Sequence, residues 1–276
     1  MPDPKCILIL GMHRGGTSAV SRSLRIFGAS HGDDLVGGLS SNPLGHWEDI
    51  DVLRLDDAML EALGMRWDSL EAVTERDVQI LERQGFHIKA SQLLADKIKA
   101  NRFYALKEPR MTKLLPFWNK ILAPLRPHCV IVFRNPASVA ESLYKRDRLP
   151  PERGYLLWAV HMLECFRYAG EDTHLLVNYD DFMDDAEAAL RRIARFFSLP
   201  VIADELNLVL NGFLHQNLRH TRYDARHLRG NPACPEQIGL MYEDMECLSR
   251  RGRHRRGCFA EFHDTWRRRT AALLPG

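Results

Sequence analysis

Short apolar runs alternate with amphipathic stretches through the first two hundred residues. Residues 5–10, KCILIL, are apolar without alternation, which predicts a strand covered on both faces. A glycine-rich loop follows, and then SAVSRSLRIFG. Val20, Leu24 and Phe27 there share one helical face, and Gly28 can end the helix. Residues 29–52 are rich in Gly, Ser, Asn and Asp and read as loop, whereas 52–100 read as helical. FYALKEP (103–109), HCVIVFRNP (128–136) and THLLVNYDDF (173–182) predict three further strands, the first stopped by Pro109. Helices are expected in SVAESLYKR, in the strongly apolar GYLLWAVHMLECFRYA (154–169), and in AEAALRRIARFFSL (186–199). In the last of these Leu190, Ile193, Ala194 and Phe197 point inward. Strands alternating with helices specify an α/β fold of three layers, a central parallel sheet covered by helices on both faces. The last 75 or so residues are harder to read, and a helical C-terminal portion is expected there. With no repeat and no low-complexity linker, residues 1–276 are expected to form a single domain, its core at about 5–200.

Composition narrows the function. The chain is 45% hydrophobic and 27% charged, with a net charge of +2, too small to imply nucleic-acid binding. The arginine-dense stretches at 218–230 and 250–257 read as solvated faces. No apolar run reaches the roughly 20 residues of a membrane span, and MPDPKCILIL does not read as a secretory signal. Cys6, Cys129, Cys165, Cys234, Cys247 and Cys258 include no C-x-x-C pair, so buried, reduced thiols in a cytoplasmic protein are expected. His215, His220, His227 and Cys234 fit no zinc spacing, and no metal site is expected.

The loop GMHRGGTS, residues 11–18, has the frame of a phosphate-binding loop: Gly11, Gly16 and Ser18 fit it, and Thr17 stands in place of the lysine. Glycines admit an anion close to the backbone, N–H groups of the following helix point at it, and Thr17 and Ser18 add hydroxyl donors. Arg14 carries the positive charge that the missing lysine would supply. In a parallel sheet, ligands lie at the carboxyl ends of the strands. The loop, KEPR and RNP all follow strands and should converge there, bringing together Arg14, Lys107, Arg110 and Arg134. Basic groups thus stand where a triphosphatase would place its magnesium carboxylate, although VNYDDF offers Asp180 and Asp181.

These residues resemble the sulfotransferases that use 3′-phosphoadenosine 5′-phosphosulfate (PAPS), in particular the bacterial branch related to carbohydrate sulfotransferases. Arg14, Gly15, Gly16, Thr17 and Ser18 match the loop that binds the 5′-phosphosulfate. The run VIVFRNPASVAES, with Arg134 closing the strand and Ser142 on the next helix, matches the 3′-phosphate motif. GHWED, LKEPR and VNYDDF are also similar, so the resemblance spans roughly 5–200. It implies a P-loop-like topology and metal-independent transfer of a sulfuryl group from PAPS to a hydroxyl or amine acceptor, a carbohydrate or small metabolite. Arg14 and Lys107 would act on the transferred group and Glu48 would be the base, with His46, Asp49 and Glu108 as rivals. Arg219 and Arg222 could close over the 3′-phosphate. Two departures stand out: arginine replaces the usual lysine at 14, and Gly15 replaces a serine that can restrain premature donor hydrolysis. A magnesium-dependent P-loop kinase or hydrolase and a non-catalytic nucleotide-binding scaffold are the competing readings.

Overall fold

A computed structural model describes residues 6–37, 45–170, 172–214, 221–251 and 254–275. Its elements, in chain order, are β1 (Cys6–Leu10), α1 (Thr17–Ser23), α2 (Ile50–Ala62), α3 (Glu75–Arg83), α4 (Phe86–Ala100), β2 (Tyr104–Lys107), α5 (Pro109–Lys113), α6 (Leu115–Leu122) and β3 (His128–Phe133). They continue with α7 (Pro136–Asp147), α8 (Pro151–Arg167), β4 (His174–Asn178), α9 (Tyr179–Asp184), α10 (Ala186–Phe197), α11 (Ala203–Leu208), α12 (Glu236–Ser249) and α13 (Cys258–Arg269). The four strands form one parallel sheet in the order β2-β1-β3-β4, so β1 is central and the loop after it opens between β2 and β3.

Alternation along each strand splits the core in two. Leu8, Leu10, Leu106, Ile131 and Leu176 face a cluster built with α2–α8, α12 and α13. Ile7, Ile9, Ala105, Val130, Val132 and Val177 face a second cluster with α1, α9, α10 and α11. This is the expected α/β three-layer arrangement, and the burial of both sheet faces explains why the strand runs lack polar alternation.

Differences from the sequence reading have local causes. The strand expected to run to 182 ends at Asn178, whose side chain accepts from the Asp180 N–H at 2.9 Å and starts α9. Likewise β2 ends at Lys107, because Glu108 caps α5 and Pro109 takes its first turn. The stretch 52–100 is broken where Gly64 (φ 66) and Gly85 (φ 79) adopt left-handed conformations. Helices α5 and α6 lie in a stretch that the apolar pattern left unassigned. The C-terminal portion is helical, α12 and α13 packing against α8. All six cysteines are free thiols, but Cys247 is exposed and Cys258 half-buried, so the expectation of burial holds for four of them. No helix among the described residues is long and apolar enough to cross a membrane.

Candidate functional site

The loop between β1 and α1 is shaped by close approaches. A Cβ at Gly11 would lie 2.4 Å from the Val132 carbonyl oxygen of β3. One at Gly16, where φ is 89°, would lie 2.0 Å from the Tyr179 ring. Arg14 also has positive φ, 63°, so left-handed residues flank Gly15 and the chain curls into a concavity of the kind that binds anions through backbone N–H groups. Gly15 donates its N–H to Met12 O at 3.0 Å, and a Cβ there would come within 2.9 Å of that same oxygen. A serine at 15 would therefore crowd the turn, which gives the departure from the family pattern a steric reason.

A cleft of roughly 700 Å³, counting its open mouth, lies over this loop at the carboxyl edge of the sheet. Arg14, Gly16, Thr17, Ser18, Glu48, Lys107 and Arg134 all line it, so residues spread over 120 positions converge as the strand ends required. Lys107 projects from the end of β2 and is almost wholly buried. Its Nζ donates to Glu48 Oε1 at 2.5 Å, to His46 O at 3.1 Å and to Ser18 Oγ at 3.3 Å. It thereby ties the glycine-rich loop to the 45–48 segment. Arg134, at the end of β3, donates through Nη2 to Thr221 O at 2.6 Å and lies over the Tyr179 ring at 4.9 Å. Arg14 donates from Nε to Ser142 Oγ at 2.8 Å. Ser142 is thus engaged with the loop arginine rather than with Arg134. Burial and the neighbouring Arg146 and Arg134 lower the Arg14 pKa, the signature of crowded positive charge.

The rival bases separate by position. His46 lines the cleft, and burial lowers its pKa. Asp49 instead caps α2, pairs with Lys97 at 2.7 Å and accepts from the Tyr104 hydroxyl at 3.0 Å. Glu108 caps α5 and pairs with Arg110 at 2.6 Å, and Arg110 also pairs with Asp57 at 2.6 Å. Burial, followed by the charge of Glu108, raises the Asp56 carboxyl well above the usual range, and its Oδ1 accepts from the Trp118 indole N–H at 2.7 Å. Asp49, Glu108 and Arg110 therefore hold the fold behind the cleft and do not line it. Arg222 is exposed and pairs with Asp184 at 2.8 Å, while Arg219, His215 and His220 lie outside the described residues. No cluster of three or more potential metal ligands occurs among the described residues.

Several cleft residues were given no role by the sequence: His13, Arg146, Tyr179 and Phe213. His13 stands inside the loop motif, one residue before Arg14. Tyr179 directly follows β4, so its position at a strand end could have flagged it. Phe213 belongs to a π-helical turn (Val209–Phe213) and stacks under Arg22 at 3.8 Å, a contact that no local pattern encodes.

The profile of the sulfotransferase family matches residues 4–204. Among solved structures, the sulfotransferase domain of the Synechococcus PCC 7002 olefin synthase is similar at a TM-score of 0.52 and 17% identity, over 91% of this chain and 97% of that one. The sulfotransferase domain of the curacin biosynthetic pathway aligns with 100% of this chain and 99% of its own, at 16% identity and a TM-score of 0.49. Retinol dehydratase, solved with androsterone and the inactive cofactor PAP, aligns at 14% identity and a TM-score of 0.39, over 98% of this chain and 81% of that one. A search of curated protein sequences found no significant match. The match covers well over half of the chain and contains the loop, Lys107 and Arg134, so this protein belongs to the sulfotransferase family.

Proposed function

We propose that the chain transfers a sulfuryl group from PAPS to a hydroxyl or amine of a carbohydrate or small metabolite. One observation carries the reading: Arg14, Arg134 and Arg146 crowd one cleft above a curled loop of backbone N–H groups, close enough to depress the Arg14 pKa. Such crowding suits a ligand with several negative charges. The nucleotide bisphosphate with its sulfuryl group is such a ligand, and the family uses it.

In this reading Gly15, Gly16, Thr17 and Ser18 hold the 5′-phosphosulfate, while Arg134 and Ser142 hold the 3′-phosphate. The acceptor's oxygen or nitrogen bonds to sulfur as the bridging S–O bond breaks, and the electron pair leaves with adenosine 3′,5′-bisphosphate. Arg14 and Lys107 stabilise the negative charge that develops there. Lys107 sits within hydrogen-bond reach of both Ser18 and Glu48, so it links the leaving-group side to the acceptor side. Glu48 receives the acceptor's proton. Asp49 and Glu108, engaged elsewhere, are weaker candidates for that step.

Calorimetric titration with adenosine 3′,5′-bisphosphate, without metal, tests the donor assignment. Binding is expected, and Arg134→Ala should weaken it about tenfold or more, as loss of a charged hydrogen bond requires. Binding of ATP with magnesium in place of the bisphosphate would overturn the reading in favour of a kinase.

A further inference from the structure

His13 is the residue of the donor loop that the mechanism above leaves unused. Its side chain lines the cleft yet is only 8% exposed. The ring is fixed by packing, its centroid 4.8 Å from that of Trp67 and 6.4 Å from that of His161, which it meets edge to face. Its Nε2 is buried with no hydrogen-bond partner. Buried polar nitrogens nearly always find a partner within the protein, and an orphan in a cleft-lining side chain points to a ligand. Burial, then the charges of Arg110, Arg146, His161 and Lys107, holds its pKa well below the usual histidine range. The ring therefore carries a single N–H, a donor that stays unchanged across neutral pH. Glu48 lines the same cleft and is held there by Lys107.

Resting on the PAPS reading, we propose that His13 binds the acceptor atom that attacks sulfur, donating its ring N–H to that atom while Glu48 takes the proton. An attacking hydroxyl has room for both partners. Its hydrogen goes to Glu48, one lone pair accepts from His13, and the other forms the bond to sulfur as the bisphosphate departs. A primary amine in its neutral form has only one lone pair, which the sulfur requires. The arrangement therefore selects hydroxyl acceptors over amines. His13 positions the nucleophile and takes no proton.

Orthovanadate is the probe, because with the bisphosphate bound its oxygens can occupy the positions around a sulfur under attack. Each protein is first titrated with adenosine 3′,5′-bisphosphate alone, then with orthovanadate at saturating bisphosphate. The wild type, His13→Ala and His13→Gln should bind the bisphosphate within about threefold of one another. Orthovanadate should bind His13→Ala about tenfold or more weakly, and His13→Gln, whose amide N–H can still donate, close to the wild type. Three results overturn the inference while leaving the donor assignment standing: equal orthovanadate affinity in His13→Ala, an equal loss of bisphosphate affinity there, or no orthovanadate binding to the wild-type complex. Absence of bisphosphate binding in the wild type marks a different failure, that of the donor reading, and removes the basis for His13 with it.

Discussion

The buried ion pair between Lys107 and Glu48 sets a measurable load on the fold. Their side chains are 2% and 7% exposed and 2.5 Å apart. Removing one partner of a buried pair leaves the other charge uncompensated, at about 3–5 kcal/mol. The pair borders an open cleft, where water can reach a stranded charge, so roughly 2–3 kcal/mol is the better expectation. At about 2.1 cal/mol/K per residue, the unfolding entropy of this chain is roughly 0.6 kcal/mol/K, which converts the loss to about 3–5 °C in Tm. Glu48→Gln and Lys107→Met should each show that drop by circular dichroism. The double variant, with no charge left to strand, should lose clearly less than the sum, giving a coupling of at least about 1 kcal/mol. Single drops below about 1 °C, or strictly additive ones, would refute the reasoning and show that each charge is solvated independently.

The remaining expectations concern the loop and the acid–base profile. Gly16→Ala puts a Cβ into the Tyr179 ring at a left-handed position, so bisphosphate affinity should fall at least about tenfold, read by calorimetry, with Tm lowered as well. Burial raises the Glu164 carboxyl to about 7 from 4.5. Its native pKa exceeds its unfolded one, so its contribution to stability is full below about pH 4.5 and is lost as pH rises through about 7. Glu164→Gln should match the wild type near pH 4.5 and exceed it by roughly 2–3 kcal/mol at pH 8, judged from denaturant midpoints. A difference that does not change with pH would show that Glu164 keeps one charge state throughout. His161, lowered to about 4 by burial and then Lys113, acts the other way: its contribution is present above about 6.5 and is lost as pH falls towards 4 in both proteins.

Strands and glycine-rich loop were legible because each is a local pattern. KCILIL and HCVIVF are apolar throughout since both faces of the sheet are covered, and the glycines of GMHRGGTS mark the turn. Arg14, Lys107 and Arg134 could be placed together because strand ends in a parallel sheet share one edge. Roles of carboxylates were less legible. Glu48, Asp49 and Glu108 look alike in sequence, yet one lines the cleft and two cap helices, a difference set by contacts with Lys97, Tyr104 and Arg110. Phe213 and Arg146 were out of reach for the same reason: they enter the cleft through tertiary packing. His13 lay in plain view within the loop, and only the geometry of its Nε2 distinguishes it from a packed core ring.

The central place of β1 in the sheet has a consequence for how the protein is made. Its first partner, β2, begins at Tyr104, and its second, β3, at His128. Synthesis runs from β1 towards β2 and β3, so β1 can pair with neither until about a hundred more residues have been synthesised, a wait of roughly 5–20 s at typical elongation rates. The loop after it rests on the carbonyl of Val132 at Gly11 and on Tyr179 at Gly16, so it takes shape only once β3 and the start of α9 are in place. The segment that reads most clearly as a ligand site therefore becomes able to hold one only after elements far downstream in the sequence have formed, and β1 must stay unpaired in the meantime.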